Sequence, residues 1–242
     1  MRVALISDIH GNAFALAAVL EDIARRKVDA TYNLGDHVSG PIAPAETAEM
    51  LLGLDAVSLR GNHDRVVMAG ENMDKVDVIA AAAIDDSARS WLGTLAETAS
   101  PEPDILLCHG TPSSDNTHWL QTKTQDKRFR PSSTAEIAQQ VSGHTHALLC
   151  CGHSHVARVV ELGDGRIVVN PGSVGRPAYT MADPASAERL SPDAGYAIAT
   201  RTRSGWSATL LQIPYDHEAA ALRAEQHGMA GWARHLREGW PR

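Results

Sequence analysis

Cysteine is scarce in this 242-residue chain: Cys108, Cys150 and Cys151 make an odd count of three, and all lie inside apolar runs. That leaves no disulfide framework, and a reduced, cytoplasmic protein is the expectation. No apolar stretch approaches the roughly 20 residues of a membrane span. The opening segment MRVALISDIHGN turns polar too soon for a secretory signal, so its apolar run is expected to be a strand. An excess of positive charge is also missing. With 22 basic and 29 acidic residues the net charge is −7. General binding to nucleic acid or a membrane surface is therefore not expected, since both are anionic, although a local basic pocket is compatible. There is no convincing repeat, no low-complexity segment, and no linker rich in Pro, Gly or Ser. At 43% hydrophobic, the chain can bury one sizeable core. One α/β domain is expected over residues 1–242, with excursions near 65–100 and 111–132 and a helical tail near 216–238.

What is present is a series of short polar clusters, each closing an apolar run: Asp8-Ile9-His10, Gly35-Asp36, Gly61-Asn62-His63-Asp64, His109-Gly110 and Gly152-His153-Ser154-His155. Asp and His two residues apart, just past a strand, can converge on one cation. Asp36 has two oxygens and could bridge to a second cation. Asn62 offers a neutral carbonyl oxygen, and His109, His153 and His155 offer imidazole nitrogens. Such a mixed set suits Mn, Fe, Zn or Co better than Ca or Mg. Two metals held side by side are a device for attacking phosphate esters.

The runs themselves read as alternating strands and helices. Val3–Ser7, Tyr32–Leu34, Ala56–Leu59, Ile105–Cys108 and Ala147–Cys151 read as strands, and residues 13–26, Pro44–Leu52 and 134–141 as helices. Residues 74–97 are Ala-rich and read as helical, and 111–132 as a long surface loop or partial lid carrying Lys123, Lys127, Arg128 and Arg130. Short strands follow at Ala157–Leu162, Arg166–Val169, Tyr196–Thr202 and Ser207–Ile213, with Gly163-Asp164-Gly165 as a hairpin turn. In βαβ arrangements ligands gather beyond the carboxyl ends of the strands, and all five clusters fall on that side.

The ordered strings SDIHGN (7–12), LGDHVSGP (34–41), RGNHD (60–64), GHSH (152–155) and NPGSVG (170–175) resemble the calcineurin-like metallophosphoesterase superfamily. Within it they resemble the small bacterial phosphodiesterases of the diadenosine-tetraphosphatase-like branch, from the first strand to about Tyr179. The resemblance implies a four-layer αββα sandwich with two mixed sheets and a metal site at the strand ends. It implies one metal on Asp8, His10 and His155, another on Asn62, His109 and His153, and Asp36 between them with a solvent hydroxide. The ions would be two divalent or trivalent transition metals: Mn, with Fe, Zn, Co or Ni as the others. His63 would face the phosphate and assist the leaving group, with Asp64 orienting it from behind. The expected activity is hydrolysis of a small phosphate ester, a phosphodiester first. A phosphoprotein phosphatase, a dinucleoside polyphosphate hydrolase and a non-catalytic scaffold are the rival readings. Oligomeric state is not legible.

Several residues stay open. A second pair, His144 and His146, has the same Gly-His-x-His form, but it follows a helix and precedes a strand, which puts it at the far end of the sheet. Asn12 reads as a helix cap or a substrate contact. Trp119 reads as a stacking platform or a loop anchor. Arg65, with Arg60, reads as a grip for phosphate. The basic residues of 111–132 read as a solvated face or a lid, Asn170 and Ser173 as turn-fixing residues near the site, and His118 as surface or packing.

Overall fold

The computed structural model describes residues 1–126, 128–141, 143–177 and 191–239. Lys127 and Tyr179 lie outside them. Along the chain run β1 (Arg2–Ile6), α1 (Ala13–Arg25), β2 (Ala30–Asn33), α2 (Pro44–Leu52), β3 (Val57–Ser58), α3 (Asn62–Ala69), α4 (Lys75–Ala83), α5 (Asp86–Thr94), β4 (Thr98–Ala99) and β5 (Ile105–Cys108). Then come β6 (Gln121–Lys123), β7 (Phe129–Pro131), α6 (Thr134–Gln139), β8 (Leu148–Cys150), β9 (Arg158–Glu161), β10 (Ile167–Asn170), β11 (Ala194–Thr202), β12 (Gly205–Ile213), α7 (His217–Gln226) and α8 (Ala230–Glu238).

Two five-stranded sheets result, in the orders β12-β11-β1-β2-β3 and β4-β5-β8-β10-β9. In the first, β1, β2 and β3 are parallel and β11 and β12 antiparallel; in the second, β5, β8 and β10 are parallel. The central strands β1, β5, β8 and β10 are almost wholly buried and apolar because both faces are covered. Val3 and Leu5 of β1 face Ile105, Leu107, Leu148 and Cys150 of the other sheet, forming the central layer. Ala4 and Ile6 point the opposite way, onto Ala15, Leu16, Val19 and Ile23 of α1. The second sheet turns Leu106, Cys108, Leu149 and Cys151 outward onto Ile137 of α6 and neighbouring Val141. Cys150 and Cys151 thus lie on opposite faces, as strand alternation requires, and all three cysteines are free and buried. The outcome is the four-layer α/β sandwich.

Three segments differ from the sequence reading. The helical stretch 74–97 is two helices, because Asp74 and Asp85 each cap a new one: their carboxylates accept backbone N–H groups of α4 and α5. The tail is likewise α7 and α8, parted at Gly228, whose φ is +69°. The loop 111–132 contains the β6–β7 hairpin. It is anchored from inside, since Trp119, Leu120 and Phe129 are buried. Arg158 donates to the carbonyls of Leu120 (2.6 Å) and Ser132 (3.2 Å) at its base.

Trp119 is therefore no stacking platform for substrate. Its ring packs among Leu106, Leu149 and Ile137, and its Nε1–H donates to the Ile137 carbonyl at 3.1 Å. Trp119→Ala is expected to cost about 3–5 kcal/mol by leaving a cavity and an unpaired carbonyl. Urea denaturation followed by far-UV circular dichroism measures it, and a loss below about 1 kcal/mol would contradict the anchoring role.

Candidate metal centre

The turns following β1, β2 and β8, together with the start of α3, form the floor of the site. They are laced to one another: the N–H groups of Asp8, Ile9 and Gly11 donate to the carbonyls of Gly35, Asp36 and His37, and Gly152 donates to His109. This close approach needs glycine. A Cβ on Gly61 would collide with the Asp36 carboxylate, and one on Gly152 with the Ser7 hydroxyl. The turns are also strained. Asp8, His10, Asp36, His153 and His155 all have φ between +50° and +65°, a left-handed conformation unusual for side-chain-bearing residues. Five such residues around one point mark a functional site.

Two donor groups meet there. Asp8, His10 and His155 have their ligand atoms within 4.8 Å of one another, and so do Asp36, His109 and His153. Asp36 Oδ2 stands between the groups, 3.3 Å from His109 Nε2 and 3.9 Å from His10 Nε2. Asn62 Oδ1 lies 3.0 Å from His109 Nε2.

Backbone carbonyls hold the rings. Nδ1–H of His10 donates to Ser39 O (2.8 Å), that of His109 to Leu34 O (2.7 Å) and that of His155 to Arg176 O (2.6 Å). A carbonyl only accepts, so each Nδ1 carries a hydrogen and each Nε2 is the ring atom turned inward. His10 Nε2 and His155 Nε2 then oppose one another at 3.1 Å, lone pair against lone pair. Around His109 Nε2 acceptor oxygens converge; burial would lower this ring, but Asp36 lifts it to about 10, so without a cation a proton stands there. Asp8 Oδ1 is buried without a hydrogen-bond partner. The opposition of His10 to His155 and the unpartnered Asp8 Oδ1 are unfavourable alone, and a cation in place of the His109 proton would satisfy the same acceptors, so the donor set fits a pair of metal ions.

The electrostatics agree. Burial, then His155, drives His10 down to about 3, and burial with His109 does the same for His153. Both rings are therefore neutral, as ligands must be. Burial alone would raise the Asp36 carboxyl, but the neighbouring charges of His109 and His63 outweigh it and hold it well below the usual carboxylate range.

His63 opens the first turn of α3, and its backbone N–H donates to Asp36 Oδ1 at 2.9 Å. Asp64 does not stand behind it. At the third position of the helix the Asp64 carboxylate reaches back to Gly61 N (2.8 Å) and across to Asp36 N (2.9 Å), His37 N (2.9 Å) and His37 Nδ1 (2.8 Å). It ties together the two turns that carry Asp36 and Asn62. The carboxylate beside His63 is Asp77 of α4, whose Oδ1 lies 2.8 Å from Nδ1. Burial would lower the His63 pKa, but Asp36 and Asp77 together lift it to about 9.

Above the floor opens a cleft of about 500 Å³, lined by His10, Asp36, Asn62, His63, His153 and His155. Its outer walls include Asp74, Asn116, His118, Lys123, Phe129 and Arg176.

Residues 1–188 match the sequence model of the calcineurin-like phosphoesterase superfamily domain. The chain belongs to the calcineurin-like phosphoesterase superfamily. Its class of activity is metal-dependent hydrolysis of phosphate esters. An uncharacterized protein of Methanocaldococcus jannaschii, MJ0912, is 28% identical over 191 residues, covering 72% of this chain and 76% of the relative. A metallophosphoesterase from Sphaerobacter thermophilus shares the fold with a TM-score of 0.77 at 22% identity, over 99% of each chain. Protein PH1004 of Pyrococcus horikoshii OT3 does so with 0.76 at 19% identity, over 98% of each chain.

Within this calcineurin-like frame, three residues considered for substrate contact do other work. Asn12 is fully buried and spends its amide on the fold: Oδ1 accepts Ala15 N (3.1 Å), and Nδ2 donates to Gly175 O (3.0 Å) and Tyr215 Oη (3.2 Å). Arg65 is bidentate on Asp115 (2.6 and 3.1 Å) and Arg60 pairs with Glu97. Neither is among the cleft-lining residues. Trp119 is the core anchor described above. His146 sits ahead of β8 with Nε2 3.2 Å from Ser100 Oγ, away from both donor groups. Asn170 and Ser173 fix turns: Asn170 Nδ2 donates to Gly152 O (2.6 Å) and Ser173 Oγ to Asp8 O (2.7 Å).

Sequence reading missed Asp77, Phe129 and Arg176, and it read His118 as surface or packing, which it is, though it packs at the cleft. His118 packs its ring 4.6 Å from His153 and stacks 4.6 Å from Phe129, bracing a residue of the second donor group. Arg176 lies over Trp232 of α8 at 4.0 Å. Its position directly after NPGSVG was the one available signal. Of the basic hairpin residues, Lys123 faces the cleft, whereas Arg130 pairs with Glu136 and Arg128 with Asp126.

Proposed function

We propose that this superfamily member is a two-metal phosphodiesterase acting on small phosphodiesters, nucleotide-like esters among them. The observation that carries the reading is the meeting of two donor groups around Asp36 with His63 on the same cleft. In this reading Asp8, His10 and His155 hold one ion, Asn62, His109 and His153 hold the other, and Asp36 joins them. The mixed nitrogen and oxygen donors suit Mn, Fe, Zn, Co or Ni, and Mn is the ion we propose. When bound, the ions activate a water and draw charge from the phosphoryl oxygens. The chain supplies the rest. His63 presents its ring to the departing oxygen and gives it a proton. No side chain serves as nucleophile. The walls support a diester: His118 lies against His153 with Phe129 stacked on it, while Arg176 borders His155, so substituents on both ester oxygens find a surface.

The test is a hydrolysis panel. Protein supplied with Mn²⁺ is expected to bind about two metal ions per chain by elemental analysis, and to cleave bis-p-nitrophenyl phosphate with a higher kcat/KM than p-nitrophenyl phosphate. A phosphopeptide and a dinucleoside polyphosphate run alongside. Preference for the phosphopeptide would make the protein a phosphatase. Less than one equivalent of metal with no hydrolysis would make it a scaffold.

A further inference from the structure

We propose that the open edge of β12 pairs with the same edge of a second copy of this chain, antiparallel and about a two-fold axis at Thr209, so that two five-stranded sheets join into one continuous sheet. This surface is separate from the metal centre, and the pairing does not depend on the activity assigned there.

Three of the four edges of the two large sheets are blunted. β3 and β4 are two residues long, and β9 is four residues with Arg158 and Glu161 at its ends. Shortness and charge are the usual protections of a sheet edge. β12 has neither. Its nine residues, GWSATLLQI, hold no charge and no proline. All of them pair in unbroken register with β11, so no bulge bends the edge away. The ladder also fixes which way the backbone groups point. Arg201 of β11 donates its N–H to Met1 O, on the β1 side. The alternating residues Thr200, Ile198 and Tyr196 therefore turn to β12, where they meet Ser207, Thr209 and Leu211. The N–H and C=O groups of Trp206, Ala208, Leu210 and Gln212 point outward, and among the described residues they have no hydrogen-bond partner. Such an edge is a template for another strand.

The charges at the two ends of β12 select a second copy as that strand. Arg203 stands in the turn before it and Asp216 just beyond it; both are exposed, and among the described residues neither is in an ion pair. Antiparallel pairing sets the Arg203 end of each copy against the Asp216 end of the other, twice over, whereas parallel pairing would set like charge beside like. A two-fold contact of this kind closes on itself. The register centred on Thr209 is the one that engages all four outward residues. Trp206 then pairs with Gln212, and Ala208 with Leu210, each pair exchanging both hydrogen bonds, roughly eight in all. Thr209 meets its own symmetry mate. A second feature of the same side of the molecule agrees. Val159 of β9 pairs with Val169, a residue of the central layer, yet is 37% exposed. β9 neighbours β10, against which β12 lies, and the hairpin tips at Gly165 and Gly205 are adjacent. A partner laid along β12 would cover this exposed apolar side chain.

Sedimentation equilibrium of the full chain over a range of concentrations is expected to give twice the mass of one chain. Thr209→Lys sets like charges face to face on the axis, and the dimer dissociation constant is expected to rise by about tenfold or more. Thr209 is exposed and outside the cleft, so the far-UV spectrum of the variant should match that of the native chain. Thr209→Cys tests the register. The Cα atoms of a non-hydrogen-bonded antiparallel pair are about 4.5 Å apart, within disulfide reach, and the three native cysteines are buried. Mild oxidation is expected to turn most of this variant into a covalent dimer on a non-reducing gel, and to leave Ser207→Cys, which would face Leu211 of the other copy, uncoupled. A native chain that stays monomeric at every concentration overturns the proposal and leaves the edge to an extended segment of a different protein. A dimer that survives Thr209→Lys, or one that couples through Ser207→Cys in preference to Thr209→Cys, overturns it as well, by placing the contact on another surface or in another register.

Discussion

Asp36→Ala abolishes hydrolysis: kcat/KM is expected to fall by at least about 10³-fold, with little change in the far-UV spectrum of the folded protein. Asp36 Oδ2 is the carboxylate oxygen placed against both donor groups, at 3.3 Å from His109 Nε2 and 3.9 Å from His10 Nε2. Its other oxygen receives the His63 backbone N–H. Removing it separates the two donor groups electrostatically and frees the turn that begins α3. Losing a residue that merely orients a metal ligand typically costs about 10–100-fold in affinity, and a direct, shared donor should cost more. Elemental analysis after dialysis is expected to find at least one of the two metal equivalents lost. A variant that kept both ions and most of its activity would contradict the placement of Asp36 between them.

His63→Ala has the second largest effect, and of a different kind. Metal content is expected to stay near that of the native protein, because His63 belongs to neither donor group. The KM of a nitrophenyl diester should change little, while kcat falls by about 10²–10⁴-fold, the usual range for a positioned proton donor. Metal analysis beside steady-state kinetics separates this outcome from that of Asp36→Ala. A fall in KM affinity with unchanged kcat would make His63 a binding residue only. The contrast with Asp64 shows how close neighbours in sequence can differ. His63 turns to Asp77 and the cleft, whereas Asp64, one residue on, turns inward to His37 and the backbone of Gly61 and Asp36.

The strand-end clusters were legible because their chemistry is local. Asp8 and His10 follow β1 directly, Asp36 follows β2, His109 follows β5, and His153 and His155 follow β8. A strand buried on both faces must be an apolar run, and a donor just beyond its end is automatically carried to the same side of a parallel sheet. The same rule separated His153 and His155 from the look-alike pair His144 and His146, which precede their strand. The Ala-rich segment was harder, since helical composition says little about where one helix ends; the Asp74 and Asp85 caps decide that.

Sequence by itself determined the layered α/β fold and the order of the donor clusters, while setting His63 apart came from the family resemblance, and the structure places His63 in neither donor group. Only the tertiary structure decided the partners. Asp77 reaches His63 because α4 folds back across α3, Asp64 is drawn to His37 because the turns after β2 and β3 touch, and Trp119 is buried because the hairpin closes over α6. Each of these pairings depends on a long-range approach between elements whose own sequences are complete without it. A side chain's local pattern sets where it can stand along an element, and packing alone sets what it meets there.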